Sequence, residues 1–193
     1  TPSLLSPAQM RALVDGLRGA CCWNPAEFTI EANPETLDAD KLDAYADCGV
    51  SRLSIGLQTH DDALLARLGR RHTWRAFLKA YEAASRRFSN ISVDTMFGLP
   101  GQTLDGYHET LRRVVALSPA HVSAYALKLE PGTPLAQTFE GADDRLDRAM
   151  YHAAIALLED AGLKQYETSN FAKSGRACRH NLKYWQGGAY LGL

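Results

Sequence analysis

Residues 178–185, CRHNLKYW, bring a thiol, an imidazole, a carboxamide, an ammonium group and two aromatic rings into one short stretch. An imidazole can bind a transition metal, and aromatic rings can cover the face of a planar ligand. A histidine beside aromatic residues is also common in packed cores, where hydrogen bonds satisfy its ring. These residue types therefore leave both a ligand role and a structural role open for His180.

A second group of polar side chains lies near the ends of three short β-prone runs. The runs are EFTIEANP (27–34), RLSIGLQT (52–59) and ISVDTMFGLP (91–100). Glu31, Gln58 and Asp94 can meet there, since the carboxyl ends of parallel strands share one edge of a sheet. Each one alone is better explained as a hydrogen-bonded group at a strand end. Three in register favour a ligand-binding site.

The alternation within these runs predicts one apolar and one polar face. In the second run Leu53, Ile55 and Leu57 lie on one face, and Ser54, Gly56 and Gln58 lie on the other. A sealed (β/α)₈ barrel fills its interior with large aliphatic side chains, so a polar face predicts an interior that holds a ligand. The FGLPGQT turn after Asp94 either brings backbone close to that ligand or only connects a strand to a helix.

Helical patterns separate the β-prone runs and define the fold class. A capping box at Ser6 and Gln9, with Pro7 between them, predicts a first helix. Further helices are expected over 37–48, 74–87 and 103–117, a fourth strand over 121–131 and an apolar helical stripe from 146 to 161. Residues 164–171 are expected to be extended. Strands alternating with helices indicate an α/β protein with a parallel sheet.

Composition narrows the classes of partner. The chain has 193 residues, 46% of them hydrophobic and 22% charged, which is typical of a globular protein. A net charge of −1 gives no reason to expect nucleic acid as a partner. The sequence has no apolar run of the ~18 residues that a transmembrane segment needs, and the start TPSLLSPAQM lacks a signal-peptide pattern. We therefore expect a cytoplasmic protein whose four cysteines are reduced.

Seven separated motifs carry a resemblance to a known family over nearly the whole chain. They are TPSLLS, EANP, LSIGLQT, LGRRHT, DTMFGLPGQT, YALKLEPGTPL and YETSNFAKSGRACRHNLKYWQGGAYLGL. In this order they resemble the radical S-adenosylmethionine (SAM) proteins related to oxygen-independent coproporphyrinogen III oxidase. The resemblance implies a partial (β/α)₆ barrel, of which strands three to six are present. It assigns residues 1–140 to the barrel and 141–193 to a helix and the start of a heme-associated C-terminal extension.

The resemblance also implies cofactors and their contacts. In this family SAM lies across the carboxyl ends of the strands, and the matching positions are Glu31, Gln58, Arg70 and Asp94. A guanidinium at Arg70 suits a carboxylate, whereas its neighbours Arg67 and Arg71 are expected at a solvated helix end. The family's [4Fe-4S] cluster needs a CxxxCxxC motif that leaves one iron open. The four cysteines do not match it, so the resemblance places that motif before residue 1, and Thr1 at the end of a glycine-rich turn.

The HNxxYW pattern, formed by His180, Asn181, Tyr184 and Trp185, resembles the heme-chaperone branch of the family. This resemblance implies heme binding at His180 and delivery of heme to an accepting protein. The alternative is an oxygen-independent coproporphyrinogen III oxidase, which converts propionates to vinyl groups. A third interpretation is a cofactor-free binding module that has lost the first strands, although an uncovered edge strand disfavours it. Lys128 and Glu130 are further candidates to face the site, and the remaining histidines lack metal-ligand spacing.

Overall fold

The computed structural model, which describes residues 2–139 and 143–192, is organised around a mixed six-stranded sheet. Its strands are β1 Thr29–Ala32, β2 Arg52–Gln58, β3 Ile91–Phe97, β4 His121–Ala126, β5 Lys164–Gln165 and β6 Asn170–Ala172. Their order is β1-β2-β3-β4-β6-β5. The first four are parallel neighbours, as expected, while β6 runs antiparallel to both β4 and β5. The predicted partial barrel is thus confirmed, and a short antiparallel pair extends it.

Helices follow the parallel strands and cover one face of the sheet. They are α1 Pro7–Ala20, α2 Ala39–Asp47, α3 Asp62–Arg67, α4 Trp74–Ser85, α5 Leu104–Ala116, α6 Pro134–Thr138, α7 Asp144–Asp160 and α8 Arg179–Trp185. The sequence predicts no range for the short helices α3 and α6, because six and five residues show too little periodicity, although the helix end expected at Arg67 is the end of α3. The helix expected from residue 37 begins later, since Asp38 caps α2 by accepting a hydrogen bond from the Lys41 backbone at 2.8 Å.

The capping box predicted for α1 is present. The Gln9 backbone donates to the Ser6 hydroxyl at 3.3 Å, and the Ser6 backbone donates to the Gln9 carbonyl oxygen at 2.9 Å. These two bonds satisfy donors that a helix start leaves unpaired, and such a cap contributes about 1 kcal/mol. The start of α1 is therefore determined by local sequence.

The predicted alternation of β2 decides where the core lies. Leu53, Ile55 and Leu57 are fully buried and pack with helix residues such as Phe77 and Leu111. Each such side chain stabilises the fold by roughly 1.5–3 kcal/mol. The opposite face carries polar side chains instead, so the apolar core lies between sheet and helices and not within the barrel.

The segment after α7 returns to the sheet and positions the last helix. Val122 of β4 pairs with Phe171 of β6, and the chain then continues into α8. The predicted division between residues 140 and 141 falls outside the described residues, as does Thr1, so the two-part organisation stays a prediction.

Candidate functional site

The polar face of the sheet lines an open cavity of about 810 Å³. Glu31, Gln58 and Asp94 all line it, so the structure brings together three of the predicted contacts. His180 and Asn181 of α8 line the same cavity. The two sets of residues that the sequence indicated therefore line the same cavity.

Asp94 is held in the cavity wall by neighbouring serines. The Ser54 hydroxyl donates to its carboxylate at 2.9 Å from Oδ1 and 3.0 Å from Oδ2, and Ser92 lies 3.4 Å from Oδ1. Burial raises the pKa of the Asp94 carboxyl, while the Ser123 and Ser54 hydroxyls and the Arg52 charge oppose that rise. The oriented carboxyl can accept hydrogen bonds from a ligand in the cavity.

Gln58 adopts an unusual backbone conformation that aims its carboxamide into the cavity. Its φ is 72°, and the register between β2 and β3 shifts between Gly56 and Gln58. A Cβ atom on Gly56 would lie 2.9 Å from the Gln58 Nε2 atom, so glycine leaves room for the amide. The side chain is 7% exposed and forms no hydrogen bond with the described residues. Strained backbone and an unpaired amide are features of binding sites.

Glu31 and Arg70 complete the carboxyl end of the strands. Glu31 projects from β1 into the cavity and forms no ion pair with the described residues. Arg70 does not line the cavity, but its Nη1 donates at 3.2 Å to Asn33 Oδ1, just after β1. Asn33 Oδ1 also lies 3.8 Å from the Cβ position of Gly56, which places Arg70 at the same rim as Gln58.

Helix α8 lies at the other end of the cavity. Glu27, two residues before β1, accepts hydrogen bonds from the Arg179 backbone at 3.1 Å and from the Cys178 thiol at 3.3 Å. The amino ends of the parallel strands therefore carry His180, whereas Gln58 ends β2. Seven strand residues span about 20 Å. The cavity therefore extends along the strands, from α8 at their amino ends towards Gln58.

His180 is exposed and is not packed in a core among the described residues. Its ring meets the Tyr184 ring edge-on with centroids 4.8 Å apart, and its nitrogens bond to none of the described residues. Tyr184 and Trp185 are 48% and 63% exposed and lie outside the cavity. The Trp185 indole donates to Glu167 Oε2 at 2.9 Å. The Tyr184 ring thus borders an imidazole that has no hydrogen-bond partner among the described residues.

A buried chain of hydrogen bonds, which the sequence did not reveal, joins the cavity floor to α8. Arg52 Nη2 lies 3.3 Å from His121 Nδ1, and His121 Nε2 lies 2.8 Å from the Tyr166 hydroxyl. His121 Nδ1 also lies 2.8 Å from the Ser92 hydroxyl, so the ring bonds through both of its nitrogens. The Tyr166 oxygen also accepts from the Cys178 backbone at 3.2 Å and from Asn181 Nδ2 at 3.3 Å.

The ionisation of this chain follows from its burial. Burial, reinforced by the Arg52 charge, lowers the pKa of His121 to about 3, so the ring is neutral. Burial likewise raises the pKa of Tyr166 to about 12, which keeps the phenol protonated. The sequence does carry a signal for this chain. Arg52 is two residues from Ser54, and His121 is two residues from Ser123, so each lies on the polar face of its strand.

Two other sequence hypotheses are resolved by the structure. Lys128 and Glu130 pair with each other at 3.0 Å and are exposed outside the cavity, so the expectation that they face the site is wrong. The FGLPGQT turn also lies outside the cavity; the Gln102 carboxamide closes it by bonding the Leu99 and Met96 backbones. Arg67 is exposed as expected but donates to the Pro100 carbonyl at 3.2 Å. The turn is a connector.

Comparison with protein-family models matches residues 14–114 to the Radical SAM superfamily. The chain belongs to this superfamily. It is 40% identical to the heme chaperone HemW of Escherichia coli and 38% identical to that of Bacillus subtilis, over the whole chain and 52% and 53% of those proteins. It is also 42% identical to the bovine mitochondrial radical S-adenosyl methionine domain-containing protein 1, over 45% of its length.

Among solved structures, the chain is similar to the coproporphyrinogen III oxidase HemN of E. coli, a radical SAM enzyme. The TM-score is 0.82 at 25% identity, covering 97% of this chain and 44% of that one. The chain is thus a radical SAM protein of the family that includes HemW and HemN. It spans about half the length of the curated relatives that it matches.

Among the cofactors expected for this radical SAM chain, the described residues suit the organic ligand. The free Gln58 amide, Glu31 and Asp94 offer donors and acceptors for a ligand with hydroxyl and ammonium groups. The cysteines form no disulfide, and the described ranges contain no cluster of three or more His, Cys, Asp or Glu suited to a metal ion. No described helix is long and apolar enough to cross a membrane.

Proposed function

We propose that this chain is part of a heme chaperone that binds SAM and heme and delivers the heme to a heme-requiring protein. The observation that carries the proposal is the exposed His180 imidazole at the same cavity as Glu31, Gln58 and Asp94. Two relatives named as heme chaperones, at 38% and 40% identity, support it.

SAM is assigned to the carboxyl end of the strands. Glu31 and Asp94 accept hydrogen bonds from ribose hydroxyls or the methionyl ammonium, and Gln58 can both donate and accept. Arg70, held by Asn33, offers its guanidinium to the methionyl carboxylate. The [4Fe-4S] cluster of the family supplies an open iron to the amino and carboxylate groups of SAM. We assign none of the four cysteines to that cluster.

Heme is assigned to the end of the cavity formed by α8. The imidazole of His180 has no competing hydrogen bond among the described residues and can ligate iron. Tyr184 and Trp185 offer aromatic surface for the porphyrin, and Asn181 is fixed by Tyr166. We also propose a cytoplasmic location, which fractionation of the full-length protein tests, although the bovine relative has a mitochondrial name.

The alternative function is oxygen-independent coproporphyrinogen III oxidation, which the structural similarity to HemN favours. Its chemistry requires a radical generated near the substrate propionates and does not require an exposed iron ligand. The free imidazole therefore favours the chaperone. A cofactor-free module is disfavoured by Gln58, whose backbone is strained and whose carboxamide forms no hydrogen bond with the described residues.

One experiment separates these functions. The full-length protein, with its cluster reconstituted and SAM present, is titrated with heme and separately incubated with coproporphyrinogen III. We expect a heme absorbance spectrum typical of histidine ligation and no decarboxylated product. In a His180→Ala variant, heme affinity should fall about tenfold or more, because the iron loses its ligand. Decarboxylated product, or an unchanged titration of the variant, contradicts the chaperone assignment or the ligand role respectively.

A further inference from the structure

Arg52 is a buried cation at the floor of the cavity. It is the first residue of β2, lines the cavity and is 4% exposed. Within the described ranges its guanidinium has one hydrogen-bond partner, His121 Nδ1 at 3.3 Å, and no ion pair. Its Nε atom is buried and has no hydrogen-bond partner in the part of the chain that the structure describes. Most of its five N–H donors are therefore available.

Such a cation is costly unless an anion compensates it. Leaving a buried charge without a partner costs several kcal/mol. His121 offers no compensation because it is neutral, with a pKa lowered to about 3 by burial and by Arg52 itself.

The carboxylates around the cavity do not pair with Arg52 directly. Glu27 is engaged by the Arg179 backbone and the Cys178 thiol, and Asp94 by the Ser54 hydroxyl. Glu31 also lines the cavity, yet none of the three forms an ion pair with Arg52. The position next to the guanidinium is therefore suited to an anionic group of a ligand.

The position of Arg52 indicates which ligand carries that anion. Arg52 lies at the amino end of β2, about 20 Å along the strand from Gln58. It shares this end with α8, to which His121 and Tyr166 connect it through Asn181. A carboxylate of SAM at the opposite rim is nearer to Arg70. A ligand at His180 is the better source.

We propose that the guanidinium of Arg52 binds a carboxylate of the ligand that His180 holds, a propionate when that ligand is a tetrapyrrole. The inference rests on the proposed function and adds a second anchor to it. A guanidinium can bind a carboxylate through two parallel hydrogen bonds, which fixes orientation as well as affinity. His180 then positions the iron, and Arg52 positions the propionate edge of the macrocycle within the cavity.

The test is a two-by-two comparison in the full-length protein with its cluster and SAM in place. Wild type and Arg52→Gln are each titrated with heme and with heme dimethyl ester, in which both propionates are esterified. Wild type should prefer heme by about tenfold or more, because the ester removes a charge-assisted pair. Arg52→Gln should bind both ligands with the same, weaker affinity, whereas Arg52→Lys should keep part of the preference.

Controls separate binding from folding. Arg87→Gln removes an exposed arginine that pairs with Asp43 at 2.6 Å outside the cavity, and it should keep the full preference for heme. Circular dichroism melting curves report whether each variant folds. If Arg52→Gln does not fold, Arg52→Lys decides, since a full wild-type preference for heme in that variant contradicts bidentate binding.

Other outcomes overturn the inference in distinguishable ways. If Arg52→Gln retains the preference for heme, Arg52 does not bind the propionate, although the proposed chaperone function stands. If that variant loses affinity for SAM but keeps the heme preference, the guanidinium serves the SAM carboxylate instead. If wild type binds neither heme nor its ester, the proposed function fails and this inference fails with it.

Discussion

Individual side chains in the cavity combine local strain with unsatisfied hydrogen-bonding groups. Gln58 has a left-handed backbone and a free carboxamide, and Asp94 is a partly dehydrated carboxyl whose pKa burial raises. Neither arrangement stabilises the fold, since strain and desolvation both cost free energy. The same features prepare these side chains to bind a ligand without rearrangement.

Replacing Asp94 with alanine should weaken SAM binding by about tenfold or more in the full-length, cluster-loaded protein. The reason is the loss of a charge-assisted acceptor at the middle of β3. Equilibrium binding of SAM measures the effect. Asp105→Ala, which changes an exposed carboxylate at the start of α5, is the matched control, and equal affinity of wild type and Asp94→Ala contradicts the contact.

Helix α8 owes its position to contacts outside its own sequence. The helix has only seven residues, so its intrinsic propensity contributes little to its stability. It has no buried residues, so apolar packing contributes little as well. The Tyr166 hydroxyl and the Glu27 carboxylate instead hold its first residues against the strands. The element that carries His180 is therefore ordered by tertiary hydrogen bonds.

Replacing Tyr166 with phenylalanine should detach α8 from the sheet and lower heme affinity several-fold. Unfolding free energy should fall by about 1–3 kcal/mol, because His121 and Asn181 lose a buried partner. Heme titration and chemical denaturation of the full-length protein measure the two effects. Tyr45→Phe is the control, since the buried Tyr45 hydroxyl has no hydrogen-bond partner among the described residues and its removal should cost little. Unchanged heme affinity in Tyr166→Phe contradicts the positioning role.

At the scale of the whole molecule, the sheet separates two kinds of interior. Helices cover its apolar face, and the cavity on its polar face is about 810 Å³ in volume. The buried Arg52–His121–Tyr166 chain closes the cavity near α8. The stability of the molecule depends on the protonation state of His121, because this buried ring is neutral in the folded state.

Stability of the full-length protein should fall as pH is lowered from about 6.5 towards 3. The pKa of His121 is depressed from 6.5 to about 3 in the folded state, so between these values the unfolded chain binds a proton that the native state excludes. This group contributes a slope of about 1.4 kcal/mol per pH unit. The raised pKa of Asp94 acts in the opposite sense, since its contribution is lost as pH rises.

Denaturation curves at several pH values measure that slope in wild type and in His121→Gln. The glutamine retains one donor and one acceptor but cannot ionise, so its curve should be flatter between pH 3 and 6.5 than that of wild type. Equal slopes show that His121 does not control the acid sensitivity.

The sequence by itself determined the parts of this protein that depend on neighbouring residues. The capping box of α1, the alternation of Leu53 with Ser54 and the order of strands and helices all follow from local periodicity. The motifs also pointed to Glu31, Gln58 and Asp94, which line one cavity.

Only the tertiary structure decided how these residues are used. Residues far apart in sequence, such as Arg52 and His121, meet because of the register of the sheet. His121 lies level with Ser92 and Ser54, and Arg52 lies two residues before Ser54 in β2. The bulge at Gln58 depends on the pairing of β2 with β3, and the exposure of His180 depends on where α8 docks. Burial, strain and unpaired charge are properties of packing between distant segments, so no local pattern reports them.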